Sequence, residues 1–238
     1  MADQQHGEFA DQARQVVATL SRATKIGLLS GADFWNTEGL PGHGISPVML
    51  TDGPHGLRKQ VSAADHVGLS DSVAATCFPT ASALGSTWDL ALLEEVGAAL
   101  GRETRIADVA VLLGPGLNIK RHPAGGRNFE YFSEDPLLAG KSAVALVRGI
   151  QSEGVGACVK HFAANNQEDF RMRVDTIVDE RTLRELYLVG FEIAVTEGDP
   201  WTVMSSYNLI NGEHAGESRR PLTEILREEW GFDGLVMS

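Results

Sequence analysis

Along this chain, short apolar runs alternate with stretches whose apolar residues recur at helical spacing. Residues 9–29 set Val16, Val17, Leu20, Ile26, Leu28 and Leu29 among charges, which predicts one amphipathic helix ending near Gly31. Residues 30–44 are rich in Gly and Asn, hold Trp35 and follow neither period, so they read as loop. Residues 46–51 form an apolar strand that runs into Asp52-Gly-Pro-His-Gly-Leu-Arg58. A polar surface loop over 59–72 and a short second strand over 75–78 follow. A helix is predicted over 88–105, with Asp89, Glu94 and Glu95 in its first turns, where carboxylates suit the dipole. A third strand covers 109–113. A helix over Pro136–Ser152 carries its proline in the first turn. The next apolar run, starting at Gly154, breaks into Lys160 and His161 and then into a second polar loop over 165–178. Asp179 caps a helix running to Glu197. A strand over 201–205, a helix over 221–230 closed by Gly231, and a strand over 234–238 complete the chain.

Strand-helix alternation of this kind gives a mostly parallel sheet, open or closed into a barrel. The expectation is one domain over residues 1–238, with a polar tail at 1–8. Residues 114–135 have no period, and a structureless loop of that length in a compact domain is usually functional. The last predicted strand is apolar with no helix after it. A barrel of this type needs roughly 250 residues, so the chain is expected to be the front part of a longer protein, truncated at the C-terminal end of the barrel.

The bulk properties narrow the function. Of 238 residues 43% are hydrophobic, enough for a sizeable core, and the formal net charge of −12 argues against nucleic acid and anionic membranes as partners. Cys77 and Cys158, the only cysteines, lie in apolar runs and are expected to be buried, reduced thiols. The N-terminus has no apolar signal segment and no run approaches a membrane span, so a cytoplasmic protein is expected.

Four polar clusters fall at predicted strand ends, where parallel α/β folds place their chemistry: Asp52 with Arg58, Arg127 with Glu130, Lys160 and His161 with Arg171, and Met204 with Tyr207. A carboxylate can grip two adjacent hydroxyls, and Arg, Lys and His donate to others. Trp35, Phe129 and Tyr207 offer faces for the C–H side of a sugar ring. Such a set fits a neutral polyhydroxylated ligand. Gly114-Pro-Gly116 and Gly125-Gly126 match no nucleotide-binding pattern. None of the seven histidines forms an HxH or HExxH pair, so no metal and no cofactor is expected. A mononuclear site drawn from separate strands is the remaining metal reading. His6 and His66 are read as exposed loop residues.

Five segments, in order, resemble the N-terminal barrel domain of glycoside hydrolase family 3 and in particular its β-glucosidases: Leu50-Thr-Asp-Gly-Pro-His-Gly-Leu-Arg58, Gly126-Arg-Asn-Phe-Glu130, Lys160-His-Phe-Ala-Ala-Asn-Asn-Gln-Glu168, Met204-Ser-Ser-Tyr207 and Gly231-Phe-Asp-Gly-Leu-Val-Met-Ser238. The resemblance implies a TIM-type (β/α) barrel, incomplete because the chain ends on a late barrel strand. It implies that Asp52 holds the outer hydroxyls of the sugar in the −1 subsite, with Arg58 and Arg127 as cationic neighbours. Lys160 and His161 would bind mid-ring hydroxyls, Arg171 and Tyr207 would position nucleophile and sugar, and Met204 would be an apolar wall.

Relatives acting on N-acetylglucosamine usually continue Lys-His-Phe with Pro-Gly-His-Gly. The continuation here, Ala163 to Glu168, counts against that branch and resembles glucosidases more than xylosidases. The implied reaction is retaining hydrolysis of terminal β-D-glucosyl residues from a β-glucoside or oligosaccharide. In the family the nucleophilic Asp follows Gly-Leu-Val-Met-Ser at once, so it is expected immediately after Ser238. The acid/base Glu is expected in a later domain of the same protein. Neither Glu130 nor Glu168 takes those roles, and the chain alone is expected to be inactive. The alternatives are a non-catalytic carbohydrate-binding fragment or pseudo-enzyme, a β-xylosidase-type member, and a metal-dependent hydrolase barrel.

Overall fold

A parallel sheet forms when strands point the same way and helices make the return connections. The computed structural model, which describes residues 2–61 and 71–238 with side chains from residue 9 onward, has that arrangement. Its elements are α1 (Ala2–Thr19), α2 (Arg22–Gly27), β1 (Leu50–Asp52), α3 (Ala81–Gly85), α4 (Leu90–Ile106), β2 (Val111–Leu113), α5 (Pro136–Ser152), β3 (Gly156–Phe162), β4 (Asp175–Thr176), α6 (Glu180–Thr182), α7 (Val189–Gly198), β5 (Thr202–Ser205), β6 (Leu209–Ile210), β7 (Glu213–His214) and β8 (Leu235–Met237). A π-type turn over Leu183–Tyr187 joins α6 to α7, and a π-type helix covers Arg220–Glu229. The main sheet is parallel throughout, in the order β1-β2-β3-β5-β8. Its order follows the chain, as in a (β/α) barrel, and its two edges, β1 and β8, do not pair with each other. The sheet is an open arc of a barrel.

Alternation along each strand sorts residues onto two faces. Leu112, Ala157, Val159, Val203 and Val236 face the helical layer and join one core with Leu93 and Leu100 of α4, Leu146 and Ile150 of α5 and Ala194 of α7. The other face carries Val111, Leu113 and Cys158, with Leu50, Met204, Met237 and Trp35 packed on them. Two residues on from Leu50 and Cys158, Asp52 and Lys160 end this second face at the C-terminal side of the sheet. All seven residues of β3 are buried, as a central parallel strand requires. Helices α4 and α5 touch backbone to backbone. A Cβ added at Gly97 would stand 2.6 Å from the carbonyl oxygen of Leu146, so a larger residue there would push the helices apart.

Several expectations from the pattern change. The single helix over 9–29 is two helices, because Ser21 is extended and caps α2, accepting from Thr24 N. Helix α1 begins at Ala2, within the expected polar tail. Strand β1 starts only at Leu50, since the residues before it pair with the loop through Thr37 N to Val48 O. Residues 75–78 form no strand. Their donors are taken by the Glu103 carboxylate, through Thr76 N at 3.1 Å, and by the His55 carbonyl, through Phe78 N at 2.8 Å. Cys77 is consequently exposed, whereas Cys158 is buried and its thiol is pushed up to about 12 by desolvation. A small hairpin, β6 and β7, joins β4 in a second sheet beside the main one. The surface placement of the His6 and His66 side chains lies outside the described residues. No described helix is long and apolar enough to cross a membrane.

Candidate functional site

Lys160 is the buried charge around which the strand-end residues gather. Only 2% of its side chain is exposed, and an uncompensated ammonium at that depth would cost several kcal/mol. Two carboxylates compensate it. Lys160 Nζ stands 3.2 Å from Asp52 Oδ1 at the end of β1, and 3.1 Å from Glu130 Oε1. Glu130 comes from the loop after β2, in the 3-10 turn Asn128–Glu130, and is itself buried. Its second oxygen takes both Nε and Nη2 of Arg127 at 2.7 Å. Burial works against the charge on Arg127, but Glu130, with help from Tyr131 and Glu168, more than offsets it and the pKa is raised. The loop is pinned to β3, because Lys160 N donates to Pro115 O and Leu117 N donates to Lys160 O. Two cations and two carboxylates thus form one neutral quartet. Within it only Asp52 is substantially open, with 40% of its side chain exposed.

His161 is the next residue on β3, which has an irregular register between Val159 and Phe162. The Lys160–His161 and Phe162–Ala163 peptides are cis. The backbone of His161 is held by an amide side chain: Asn118 Nδ2 donates to His161 O at 2.9 Å, and His161 N donates to Asn118 Oδ1 at 2.8 Å. The imidazole is almost wholly buried. Burial and then the nearby charges of Lys160, Arg127 and Arg171 hold its pKa well below the ordinary value, so the ring is neutral. Its Nδ1 lies 3.1 Å from the Tyr131 hydroxyl. Asn165 Nδ2 donates to that hydroxyl and to Glu168 Oε1, each at 3.0 Å, and Arg171 Nη1 reaches Glu168 Oε2 at 3.4 Å. Arg171 also lies over the Tyr207 ring, 5.3 Å from its centroid.

The structure therefore brings together Asp52, Arg127, Lys160, His161, Arg171 and Tyr207 around the C-terminal ends of β1, β3 and β5. Met204 packs in the apolar face below them. Arg58 is exposed and donates its backbone N–H to Asp52 O at 2.9 Å. Local spacing sets Asp52 beside Arg58, and the fold adds a partner for the Asp52 carboxylate in Lys160, 108 residues away. Phe129 is exposed and stands edge-on to His55, with centroids 6.0 Å apart. Burial lowers the pKa of His55 as well. Sequence reasoning missed Asn118, Tyr131 and Asn165. Asn118 and Tyr131 lie in the 114–135 loop and Asn165 in the Lys160–Glu168 segment, both singled out as stretches, but Tyr131 reads as an ordinary core aromatic and neither amide carries a local signal. Among the described residues no three His, Cys, Asp or Glu side chains group as metal ligands.

The profile described as the glycosyl hydrolase family 3 N terminal domain matches residues 48–238. Thermostable beta-glucosidase B of Acetivibrio thermocellus is 55% identical over 230 residues, covering 97% of this chain and 30% of that protein. An exo-alpha-(1->6)-L-arabinopyranosidase of Bifidobacterium longum is 53% identical over 93% of this chain and 30% of its own length. Among solved structures, beta-glucosidase 3B from Thermotoga neapolitana in complex with alpha-D-glucose superposes with a TM-score of 0.88 at 46% identity, over 94% of this chain and 33% of that one. The chain thus spans about a third of the length of these relatives.

Proposed function

The chain belongs to glycoside hydrolase family 3, and from that membership we propose that the protein hydrolyses terminal β-D-glucosyl residues of β-glucosides by a retaining mechanism, these residues supplying the sugar-binding part of its site. The observation that carries the reading is the neutral quartet. Asp52 presents an open carboxylate oxygen beside the Lys160 ammonium, so acceptor and donor lie side by side without net charge. Adjacent hydroxyls of a neutral sugar use both, whereas a phosphate or carboxylate would face Asp52 and Glu130. Asp52 takes the outer hydroxyls, Lys160 and His161 the mid-ring hydroxyls, and Arg58 and Arg127 flank them. Met204 forms an apolar wall, and Arg171 with Tyr207 closes the far side.

The retaining mechanism needs a carboxylate nucleophile and a carboxylic acid. Glu130 and Glu168 are unsuited to either part. The first is enclosed between Lys160 and Arg127, and the second is engaged by Asn165 and Arg171. We place the nucleophile at the residue following Ser238, since β8 pairs with β5 through Met204 and Met237 and so points to the same end of the sheet. The acid is placed in a further domain of the same protein, in keeping with the greater length of the relatives. The free thiols of Cys77 and Cys158 suit a reducing compartment such as the cytoplasm.

A second reading, a pentopyranosidase, is favoured by the arabinopyranosidase relative. The two separate in one assay of the full chain on 4-nitrophenyl β-D-glucoside, β-D-xyloside and α-L-arabinopyranoside. Preference for the glucoside supports the proposal, and preference for either pentoside replaces it. Glucose binding without turnover of any of the three would make the protein a carbohydrate binder. Trapping with a 2-deoxy-2-fluoroglucoside should label the residue after Ser238, and a label on Glu130 or Glu168 would overturn the assignment.

A further inference from the structure

We infer that Tyr131 is a positioning residue that locks His161 in the tautomer carrying its proton on Nε2, making His161 a one-way hydrogen-bond donor to the ligand. The lock is a chain of hydrogen bonds whose direction is set from its far end. Glu168, paired with Arg171, is a carboxylate and only accepts. The group facing it at 3.0 Å must therefore be the Asn165 amide nitrogen, which fixes the orientation of that amide. The other N–H of the same nitrogen points to the Tyr131 oxygen, also at 3.0 Å, so the tyrosine accepts there. Burial raises the pKa of the Tyr131 hydroxyl, which keeps its single proton. With one lone pair engaged by Asn165, that proton goes to the remaining neighbour, His161 Nδ1 at 3.1 Å. Nδ1 is then an acceptor. A neutral imidazole that accepts at Nδ1 carries its proton on Nε2. That nitrogen has no partner among the described residues and is not among the fully enclosed orphan atoms, so it is left to meet a ligand. Asn118 contributes by fixing the backbone on both sides of the ring, which leaves the side-chain network to decide the tautomer alone.

The consequence for recognition is directional. Asp52 only accepts from a hydroxyl, and His161 only donates to one. A hydroxyl at the His161 position is read as an acceptor, and its own proton is free for another partner. This deepens the sugar reading above and rests on it for the identity of the ligand. The lock itself concerns residues of this chain alone.

The test uses the full chain and measures inhibition constants for glucose and its deoxy and deoxyfluoro derivatives at each ring hydroxyl. Fluorine can accept weakly but cannot donate. His161→Ala identifies the hydroxyl it faces, as the position where the deoxy penalty disappears. At that position the fluoro sugar should bind better than the deoxy sugar by roughly three- to tenfold, the worth of one neutral hydrogen bond. In Tyr131→Phe the gap should close at that position and persist at the others, whereas a merely structural role would weaken every position together. Equal binding of the two sugars at that position in the wild type, or a gap unchanged in Tyr131→Phe, would overturn the inference. Neutron diffraction from a deuterium-exchanged crystal of the wild-type full chain gives an answer that needs neither variant nor sugar. Deuterium on Nε2 is expected, and deuterium on Nδ1 alone sinks the lock. Failure of the protein to bind glucose would count against the sugar reading and leave the neutron result to decide the tautomer.

Discussion

Around Lys160 and around Arg184 the chain builds ion-pair clusters of similar composition. In the outer cluster Arg184 holds Glu180 at 2.6 Å and grips Glu229 with two bonds of 2.6 and 2.8 Å, while Arg220 joins Glu180 to Glu224. In the inner cluster Lys160 holds Asp52 and Glu130 at 3.2 and 3.1 Å. By bond length the outer cluster is the tighter. By environment the order reverses, because the outer side chains are 35–51% exposed and Lys160 and Glu130 are 2% and 4% exposed. Solvent screens the first cluster and, in the second, scarcely reaches Lys160 and Glu130, leaving only Asp52 substantially open. The Glu229 and Glu180 carboxylates raise the pKa of Arg184, but at this exposure the shift has little weight in stability. An inner cluster is costly to assemble and costlier to break. The use we propose for it is to hold one carboxylate, Asp52, rigid and open at the strand ends.

The largest effect expected from breaking the inner cluster is that of Glu130→Gln. It leaves Lys160 and Arg127 with one carboxylate fewer in a buried site. Loss of one partner of such a pair costs about 3–5 kcal/mol, to be read from urea unfolding of the full chain. A loss under about 1 kcal/mol would show that the inner cluster behaves as a surface one. Asp52→Ala sharpens the comparison differently. It should lower kcat/KM on a β-glucoside by about 2–4 kcal/mol, because it strands the Lys160 donor and the ligand hydroxyls together. Its effect on stability should be smaller than that of Glu130→Gln, since Asp52 is the half-open member. A kcat/KM loss below roughly tenfold would remove Asp52 from the −1 subsite.

How far the sequence foretold these clusters depends on whether the signal is local. Helix α5 was legible to the residue, because Asp135 caps it, Pro136 opens it and apolar residues dominate its length. Strand β3 was legible as an apolar run broken by two charged or polar residues. The strand expected over 75–78 failed because four apolar-leaning residues cannot say whether a neighbour will pair with them. Here Glu103 and His55 took the donors instead. The β6–β7 hairpin did leave a signal: Asn211-Gly212, both at positive φ, is the preferred two-residue turn. In the site, residue types, strand-end positions and the local Arg127–Glu130 pair could be read, but not the partners distant in the chain. The Lys160 bond to Asp52 and the Tyr131 bond to His161 are created by the fold, and no spacing along the chain encodes them.

His161 extends the comparison to pH. Its pKa in the folded protein is well below the ordinary 6.5, from burial first and the neighbouring cations second. The unfolded chain therefore binds a proton near pH 6.5 that the folded one refuses. Stability from the neutral, buried ring is complete above that pH and declines as pH falls toward the folded pKa. His55 acts in the same direction. Melting temperatures taken from pH 7.5 down to pH 5 should fall, and the fall should be shallower in His161→Gln. Equal slopes would mean that the ring is not sealed as the inner cluster requires.

The smallest effect should come from the outer cluster, where the bonds are shortest. Arg184→Ala removes three hydrogen bonds and two carboxylate partners. Counted by contacts alone, it should outweigh Glu130→Gln. In solvent, however, the freed Glu180 and Glu229 carboxylates are hydrated at once, and Arg220 still holds Glu180. The expected loss is roughly 0.2–1 kcal/mol by urea unfolding, shrinking further in 0.5 M salt, where screening reaches within a few ångströms. The inner variant should show much less salt dependence, because Lys160 and Glu130 are only 2% and 4% exposed. If Arg184→Ala instead cost as much as Glu130→Gln, or if the two responded alike to salt, then burial would not be what separates the clusters. The rigidity assigned to Asp52 would then need another source.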